Sequence, residues 1–372
     1  MSLTVLLPAI TSILAIFFAL ALIDQWRERR RRYQIVWAIG MINFGIASAC
    51  EALAGAGGWN ENLYRTWYLT GAVLTAGWLG LGTAYLLART RFGYAYAVCL
   101  ALSGIFTVLT QAKYHYPDAG ITPVVYLLGG LVLAVAVGVE TYFQNDNWPR
   151  IAGLGVIIAT HIGAVIMINA SLPAPGYAID PRTNIPTGEI LPGSIRLLTP
   201  FMNITGGIAL VLGALFSAYM FMPKRRVLAY SLDPVQAGDV FLFNLLISPV
   251  AIVVNFVASL PGTLQALVRG RLHSRVPATI LIAIGALVAS STDSLNRFGS
   301  TELFQAGKLL AVVLLFAGFL VSIEVFRDIR VPFTSLRLTG TRAERVQVGD
   351  VLAAGGPAPG EFARSDRETD TG

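Results

Sequence analysis

The chain has 372 residues, of which 55% are hydrophobic and 13% are charged, with a formal net charge of +6 and a mean hydropathy of +0.65. A soluble domain has about 25% charged residues, so this composition excludes an ordinary soluble protein and predicts an outer surface that mostly contacts lipid. The positive charge does not indicate nucleic-acid binding, because the basic residues lie in short clusters at the ends of apolar segments, where they act as topology signals.

Apolar segments of about 20 residues, each long enough to cross a bilayer, alternate with short polar stretches along the chain. These segments predict an all-α, polytopic transmembrane helix bundle of about nine spans. The first seven predicted helices lie at about 3–23, 34–56, 67–88, 92–111, 121–143, 151–172 and 197–222. Two more are predicted at about 277–294 and 303–326, and together the nine form the core of the predicted fold.

Basic residues cluster on one side of the predicted bundle. The clusters lie at residues 27–32, 89–91, 150 and 224–226. Arginines directly after the first apolar segment are typical of a stop-transfer sequence, so we read that segment as an uncleaved helix rather than a signal peptide. Because cytoplasmic loops are enriched in Lys and Arg, we expect an outside N-terminus, a cytoplasmic C-terminal tail and a location in the cell inner (plasma) membrane.

The segment at 239–268 is apolar enough to span, but basic clusters flank it on both sides. Pro249 and the Pro261-Gly262 pair divide it into pieces, which favours a re-entrant or interfacial hairpin with both ends in the cytoplasm. The alternative is a tenth plain span. The predicted organisation is a seven-helix unit at 1–226, the hairpin at 227–276, two helices at 277–330, and a polar cytoplasmic tail at 331–372, disordered from about 353.

Polar and ionisable side chains inside predicted spans are the candidate binding residues, because such groups are costly in lipid and usually face a cavity or a partner. Most fall in the predicted outer half, which suggests a polar pocket open to the outside. The alternative is hydrogen bonding between helices, worth about 1 kcal/mol, and an interfacial pair of Asp293 with Lys308. The candidates are Glu51, Asn43, His161, Asn169, Asn203, Asp293 and Lys308.

No motif in the chain identifies a cofactor or a catalytic residue. The two cysteines, Cys50 and Cys99, lie in predicted spans and are typical of apolar packing positions. Two cysteines and three histidines are too few to build a Cys-rich metal site. The chain also contains neither a P-loop nor an H-E-x-x-H sequence. The cofactor therefore stays unknown, and enzymatic chemistry is not favoured.

Three functional hypotheses fit these observations. The leading one is a secondary transporter or permease-like protein that binds a small polar or cationic solute, with proton coupling as one version. The second is a non-catalytic membrane sensor or scaffold that binds a lipid, a pigment, a membrane partner subunit or a second copy of the chain. The third is a lipid-modifying enzyme, for which the chain offers little beyond His115 and Asp118 near the outer headgroup level.

Overall fold

The computed structural model describes residues 2–143, 145–181, 185–297, 301–321, 328–330 and 337–339, with side chains omitted at 293–297, 301, 328–330 and 337–339. Most of these residues are helical. The helices are α1 (Leu3–Arg29), α2 (Arg32–Gly57), α3 (Glu61–Trp67), α4 (Thr75–Leu86), α5 (Phe92–Tyr114), α6 (Thr122–Tyr142), α7 (Trp148–Asn169), α8 (Gly193–Phe221), α9 (Pro234–Ala237), α10 (Phe241–Val268), α11 (Arg275–Arg297) and α12 (Thr301–Val321). A π-helical segment, Tyr68–Leu74, joins α3 to α4, and a 3₁₀ turn, Gly238–Val240, precedes α10.

Ten helical segments are long and apolar enough to cross a membrane. They include all nine predicted spans, so the prediction of an all-α, multi-pass membrane bundle is confirmed. The third of them is composite, because α3, the π-helical segment and α4 together run over Glu61–Leu86. Two short antiparallel strands, Asp328–Arg330 and Arg337–Thr339, follow the last helix. The part of the tail predicted to be disordered, from about residue 353, lies outside the described residues.

Helix α4 packs against both α2 and α8, and α12 packs against α1 and α11. The backbones of α4 and α8 come close together at Gly80 and Gly206. A Cβ atom on Gly80 would lie 2.5 Å from the Cα of Gly206. The two backbones are therefore in direct contact, which only glycine permits.

The connection between α1 and α2 carries Arg30 and Arg31 and marks one end of the bundle. We call this end the basic end. Phe319, near the end of α12, lies with its ring centroid 4.7 Å from that of Trp37, near the start of α2. Because Trp37 lies close to the basic end, α12 also ends there. Gly318, near the end of α12, lies against Ala278, near the start of α11, so α11 runs antiparallel to α12 and begins at the basic end.

Both ends of α10 lie at the basic end. The ring of Phe241, its first residue, is 5.5 Å from that of Tyr142, the last residue of α6, and 5.9 Å from that of Tyr94 at the start of α5. After α10, the ring of His273 lies 4.8 Å from that of Phe221, the last residue of α8. Helix α10 is long and apolar enough to span a membrane. The contacts at its two ends nevertheless place it across one end of the bundle.

Helix α10 is continuous, whereas the sequence suggested a hairpin broken at Pro249 and Pro261. Proline removes one backbone donor, and Pro249 leaves the carbonyl of Leu245 without its helical partner. The hydroxyl of Ser248 donates to that carbonyl at 2.9 Å, so the hydrogen bond is replaced locally. At 28 residues the helix is about 42 Å long.

Candidate functional site

A buried ion pair joins α2 to α12 at the end of the bundle opposite the basic end. The Oε2 atom of Glu51 lies 2.7 Å from the Nζ atom of Lys308. The two residues are only 6% and 9% exposed. Charges at such depth are very costly unless they are paired and hydrogen-bonded. The pair is therefore the strongest candidate for a functional centre in the described part of the chain.

Two further donors complete the coordination of Glu51. The Nε2 atom of Gln305 donates to Oε2 at 3.0 Å, and the indole Nε1 of Trp67 donates to Oε1 at 2.7 Å. Gln305 and Lys308 lie three residues apart and so share one face of α12. We call Glu51, Trp67, Gln305 and Lys308 the carboxylate centre.

The ammonium of Lys308 also lies near two aromatic rings. Its Nζ atom is 5.6 Å from the ring centroid of Phe44 and 5.3 Å from that of Phe304. Distances below about 6 Å allow a cation–π attraction, which is the same interaction that aromatic cages use to bind organic ammonium ions. A carboxylate with nearby aromatic rings therefore forms a cation site, and Lys308 fills it.

Aromatic side chains pack around the indole of Trp67. Its ring centroid is 5.8 Å from that of Trp59, 6.0 Å from that of Tyr64 and 5.9 Å from that of Tyr68. Trp67 is the last residue of α3, directly before the π-helical segment. Such π-helical insertions often occur at functional sites, because they shift side chains out of the regular helical register.

The start of the composite span is tied to the loop between α7 and α8. The hydroxyl of Tyr64 donates to the carbonyl of Thr187, and the guanidinium of Arg65 donates to the carbonyls of Met167 and Ala170. Glu61 pairs with Arg65 one turn earlier. These contacts hold α3, and hence Trp67, in position over Glu51.

Two buried polar atoms near the carboxylate centre have no hydrogen-bond partner among the described residues: Oε1 of Gln305 and Oγ of Ser48. Ser48 lies three residues before Glu51, on the same face of α2. Buried polar atoms are normally satisfied, and those that are not call for an explanation such as a role in binding. These two atoms give the centre a free acceptor and a free hydroxyl for a polar ligand.

The structure does not bring the other candidates from the sequence to this centre. His161 and Asn169 are exposed on α7, where each bonds to the carbonyl four residues earlier, Ile157 and Val165, both at 2.8 Å. Both side chains therefore find a hydrogen-bond acceptor within their own helix. No described contact links either of them to Glu51, so the pocket expected to join Glu51 to Asn169 stays a prediction.

Three candidates remain. Asn43 and Asn203 are half-buried on α2 and α8, and no described contact links either of them to Glu51. The side chain of Asp293 lies outside the described residues, so its expected pairing with Lys308 is not tested. Lys308 instead binds Glu51, which the sequence had placed in the same outer half.

Sequence reasoning missed Trp67 and Gln305. A tryptophan at the end of a predicted span is typical of the aromatic belt at the membrane interface, where the indole N–H can bond to water, so the sequence does not mark Trp67 as a site residue. Gln305 lies three residues before Lys308, and this spacing on a helix was the one available signal that the two side chains act together.

Two small apolar cavities, one beside Met202 and one beside Trp37, each have room for about one water molecule, and neither is lined by Glu51. No group of three or more His, Cys, Asp and Glu side chains in the described ranges lies close enough to hold a metal ion. Cys50 and Cys99 are free and buried, as expected of packing residues.

The residues considered for a lipid-modifying enzyme have structural partners. Asp118 accepts a hydrogen bond from the backbone N–H of Gly193 at 2.8 Å, at the start of α8. His115 ends α5 in the left-handed conformation. Asp118 and His115 therefore stabilise helix ends. Among the described residues they form no cluster with other ionisable groups.

The chain matches no protein-family model, no curated protein and no solved structure, so comparison assigns it no family. Two observations on the molecule itself bear on function: the apolar helices of a multi-pass membrane protein, and the carboxylate centre between α2 and α12.

Proposed function

We propose that the protein is a secondary transporter or permease-like protein, in which Glu51 binds a small cationic solute and Lys308 takes the place of that solute when it is absent. The observation that carries the proposal is the buried Glu51–Lys308 pair with aromatic rings beside the ammonium. Intramembrane ionisable residues commonly mark the path of a substrate or an ion.

A buried carboxylate needs a cation or a proton at all times. Removal of one partner from a buried pair costs about 3–5 kcal/mol, because the remaining charge is uncompensated. Lys308 is therefore expected to leave Glu51 only when a solute cation or a proton replaces it. This exchange links occupancy of the site to the position of α12.

Helix α12 is placed so that this exchange can move it. It packs against α1 and α11, and it reaches α2 through long side chains at two levels, Lys308 on Glu51 and Phe319 on Trp37. Displacement of the ammonium would remove one of these two connections. We expect α12, with α11, to shift away from α2 and so to open the centre toward the end opposite the basic end.

The test is transport by the full chain in proteoliposomes on a solid-supported membrane, with jumps in methylammonium, choline or pH. The wild type is expected to give a current with at least one of these cations, and Glu51→Gln is expected to give none. Glu189→Gln changes an exposed carboxylate in the loop before α8, outside the centre, and should retain the current. Absence of any wild-type current, or an equal current from Glu51→Gln, would overturn the proposal.

A charge exchange, Glu51→Lys with Lys308→Glu, separates transport from stability. It keeps an ion pair between the same helices, so thermal stability is expected to recover relative to either single change. The carboxylate then lies on α12, and transport should stay lost. Recovery of both properties would show that the pair only holds the helices together.

The second candidate is a non-catalytic sensor or scaffold. One observation favours it: the carboxylate of Glu51 already has three donors and borders neither of the two cavities. In that case Glu51→Gln would lower the thermal midpoint, while methylammonium, choline and pH would leave the wild-type midpoint unchanged. A transporter instead predicts that its cation shifts the wild-type midpoint but not that of Glu51→Gln.

A further inference from the structure

Helix α10 has two chemically distinct faces. Its buried positions are small or polar and follow one another at intervals of three or four residues, which places them on one side of the helix. They are Ser248, Ala251, Asn255, Ser259 and Thr263. The opposite face consists of large apolar side chains that are exposed, such as Leu246 at 82%, Val253 at 61% and Leu264 at 62%.

The polar face is already occupied by the chain itself. Residues 223–231, which we call the connecting segment, follow α8 and run along this face. The side chain of Asn255 accepts from the backbone N–H groups of Val227 and Leu228 at 2.7 and 2.9 Å, and it donates to the carbonyl of Leu228 at 2.8 Å. Ser259 accepts from the N–H of Arg225 at 2.8 Å. The polar groups of α10 are thus used internally, and the helix presents an apolar surface outward.

Basic residues lie on the polar side of α10 and directly after its last residue. The exposed cations are Lys224, Arg225 and Arg226 in the connecting segment, and Arg269 and Arg271 directly after α10. None of them forms an ion pair with a described residue. Burial, followed by the charge of Arg226, lowers the pKa of Lys224 below its ordinary value. An anion beside this cluster would remove that repulsion.

We propose that α10 lies flat in one membrane interface, with its apolar face among the acyl chains and its flanking cations bound to anionic phospholipid headgroups. Three observations lead to this partner: both ends of α10 lie at the basic end, the face opposite Asn255 is apolar from Leu246 to Leu264, and the cations lie on the polar side and after the last residue of the helix. Helices with an apolar face and basic flanks bind anionic lipid surfaces in this way. The proposal does not depend on the transport function.

The first experiment measures depth. In a full chain with Cys50→Ala and Cys99→Ala, a spin label is placed in turn at Leu246, Val253 and Leu264, all on the apolar face. The protein is reconstituted in nanodiscs of phosphatidylcholine with phosphatidylglycerol, and collisions with oxygen and with a water-soluble nickel chelate are compared. A flat helix gives the same shallow depth at all three positions.

Two results of this experiment would overturn the proposal. Labels at Leu246 and Leu264 that lie at opposite interfaces, with Val253 at the centre, would show that α10 crosses the membrane. Protection of all three labels from both oxygen and the chelate would show that protein, such as a second copy of this chain, covers the face.

The second experiment tests the headgroup preference. Phosphatidylglycerol retained by the purified protein is counted by native mass spectrometry after release from mixed nanodiscs. The variant Lys224→Gln/Arg225→Gln/Arg226→Gln is expected to retain less, by about fivefold for each lost headgroup contact. The matched control is Arg31→Gln/Arg89→Gln/Arg150→Gln, which removes three exposed cations from the same end of the bundle but away from α10.

Equal retention by the wild type and the triple variant would refute the lipid site. An equal loss in the control would assign the effect to general surface charge instead, and it would refute the site as well. The depth measurement, repeated on the triple variant, verifies that α10 keeps its position.

Discussion

Trp67 and Lys308 each bind a different oxygen of the same carboxylate, that of Glu51. Trp67 belongs to the composite span and Lys308 to the last helix, so one side chain of α2 joins three separate parts of the bundle. Because the indole is neutral and the ammonium is charged, only the second contact compensates the charge of Glu51. The hydrogen bond from Trp67 fixes the direction in which the carboxylate of Glu51 points.

Removal of one member of the buried pair is expected to destabilise the protein more than removal of both. Lys308→Met or Glu51→Gln each leaves a buried polar or charged group without its partner, at a cost of about 3–5 kcal/mol for an uncompensated charge. The double variant leaves no charge and should be more stable than the sum of the two changes predicts, by about 1–3 kcal/mol. Thermal unfolding in nanodiscs measures all four proteins. Additive effects would show that the two groups are not coupled.

Loss of the indole donor should be detectable by itself. Trp67→Phe keeps an aromatic ring but leaves Oε1 of Glu51 without its hydrogen bond, and we expect a loss of about 1–3 kcal/mol. Trp59→Phe is the matched control, because Trp59 packs edge to face on Trp67 and belongs to the same aromatic group. The thermal midpoints are compared in one lipid mixture. A larger effect from Trp59→Phe would show that ring packing matters more than the hydrogen bond.

The contact between α4 and α8 should not tolerate a single methyl group. Gly80→Ala would place a Cβ atom 2.5 Å from the backbone of Gly206, so the two helices must separate. We expect severe loss of folded protein. Gly129→Ala is the control, because no atom lies within 4 Å of its added Cβ, and it should be neutral or stabilising by up to about 1 kcal/mol. Size-exclusion profiles and thermal midpoints distinguish the two variants. Similar behaviour would contradict the close approach.

The connecting segment should lose its order when Asn255 is removed. Asn255→Ala deletes the acceptor for two backbone N–H groups, those of Val227 and Leu228, and the donor to one carbonyl. Hydrogen exchange at Val227 and Leu228 is therefore expected to accelerate by at least about tenfold. Gln265→Ala, an exposed polar position on the same helix, should leave their exchange unchanged. Protection that survives in Asn255→Ala would mean that the segment is held by other contacts.

The number and approximate bounds of the membrane helices could be predicted from the sequence, because length and apolarity decide them. The third span was predicted to begin at residue 67, whereas the helix begins at Glu61. The charged residues Glu61 and Arg65 lie outside the predicted span, but in the structure they pair with each other, and Arg65 binds the carbonyls of Met167 and Ala170 at the end of α7. The polar residues are thus satisfied within the first turns of the span.

The composition of the site could be predicted only in part. Glu51 and Lys308 were recognised as costly in lipid, but the helices are apolar on all sides, so periodicity does not tell which face is buried. His161 and Asn169 were assigned to the interior for the same reason as Glu51. Their side chains instead bond to backbone carbonyls of their own helix, which permits an outward position. Long-range pairing, such as that of α2 with α12, is a property of tertiary packing alone.

The distance in sequence between Glu51 and Lys308 has a consequence for biogenesis. The two residues are 257 positions apart, so Glu51 emerges from the ribosome roughly 10 to 50 seconds before its counter-ion. During this interval Glu51 has no ammonium available, whereas the indole of Trp67, only 16 residues further along the chain, can already donate to it. The arrival of Lys308 with α12 is therefore the step that completes the carboxylate centre.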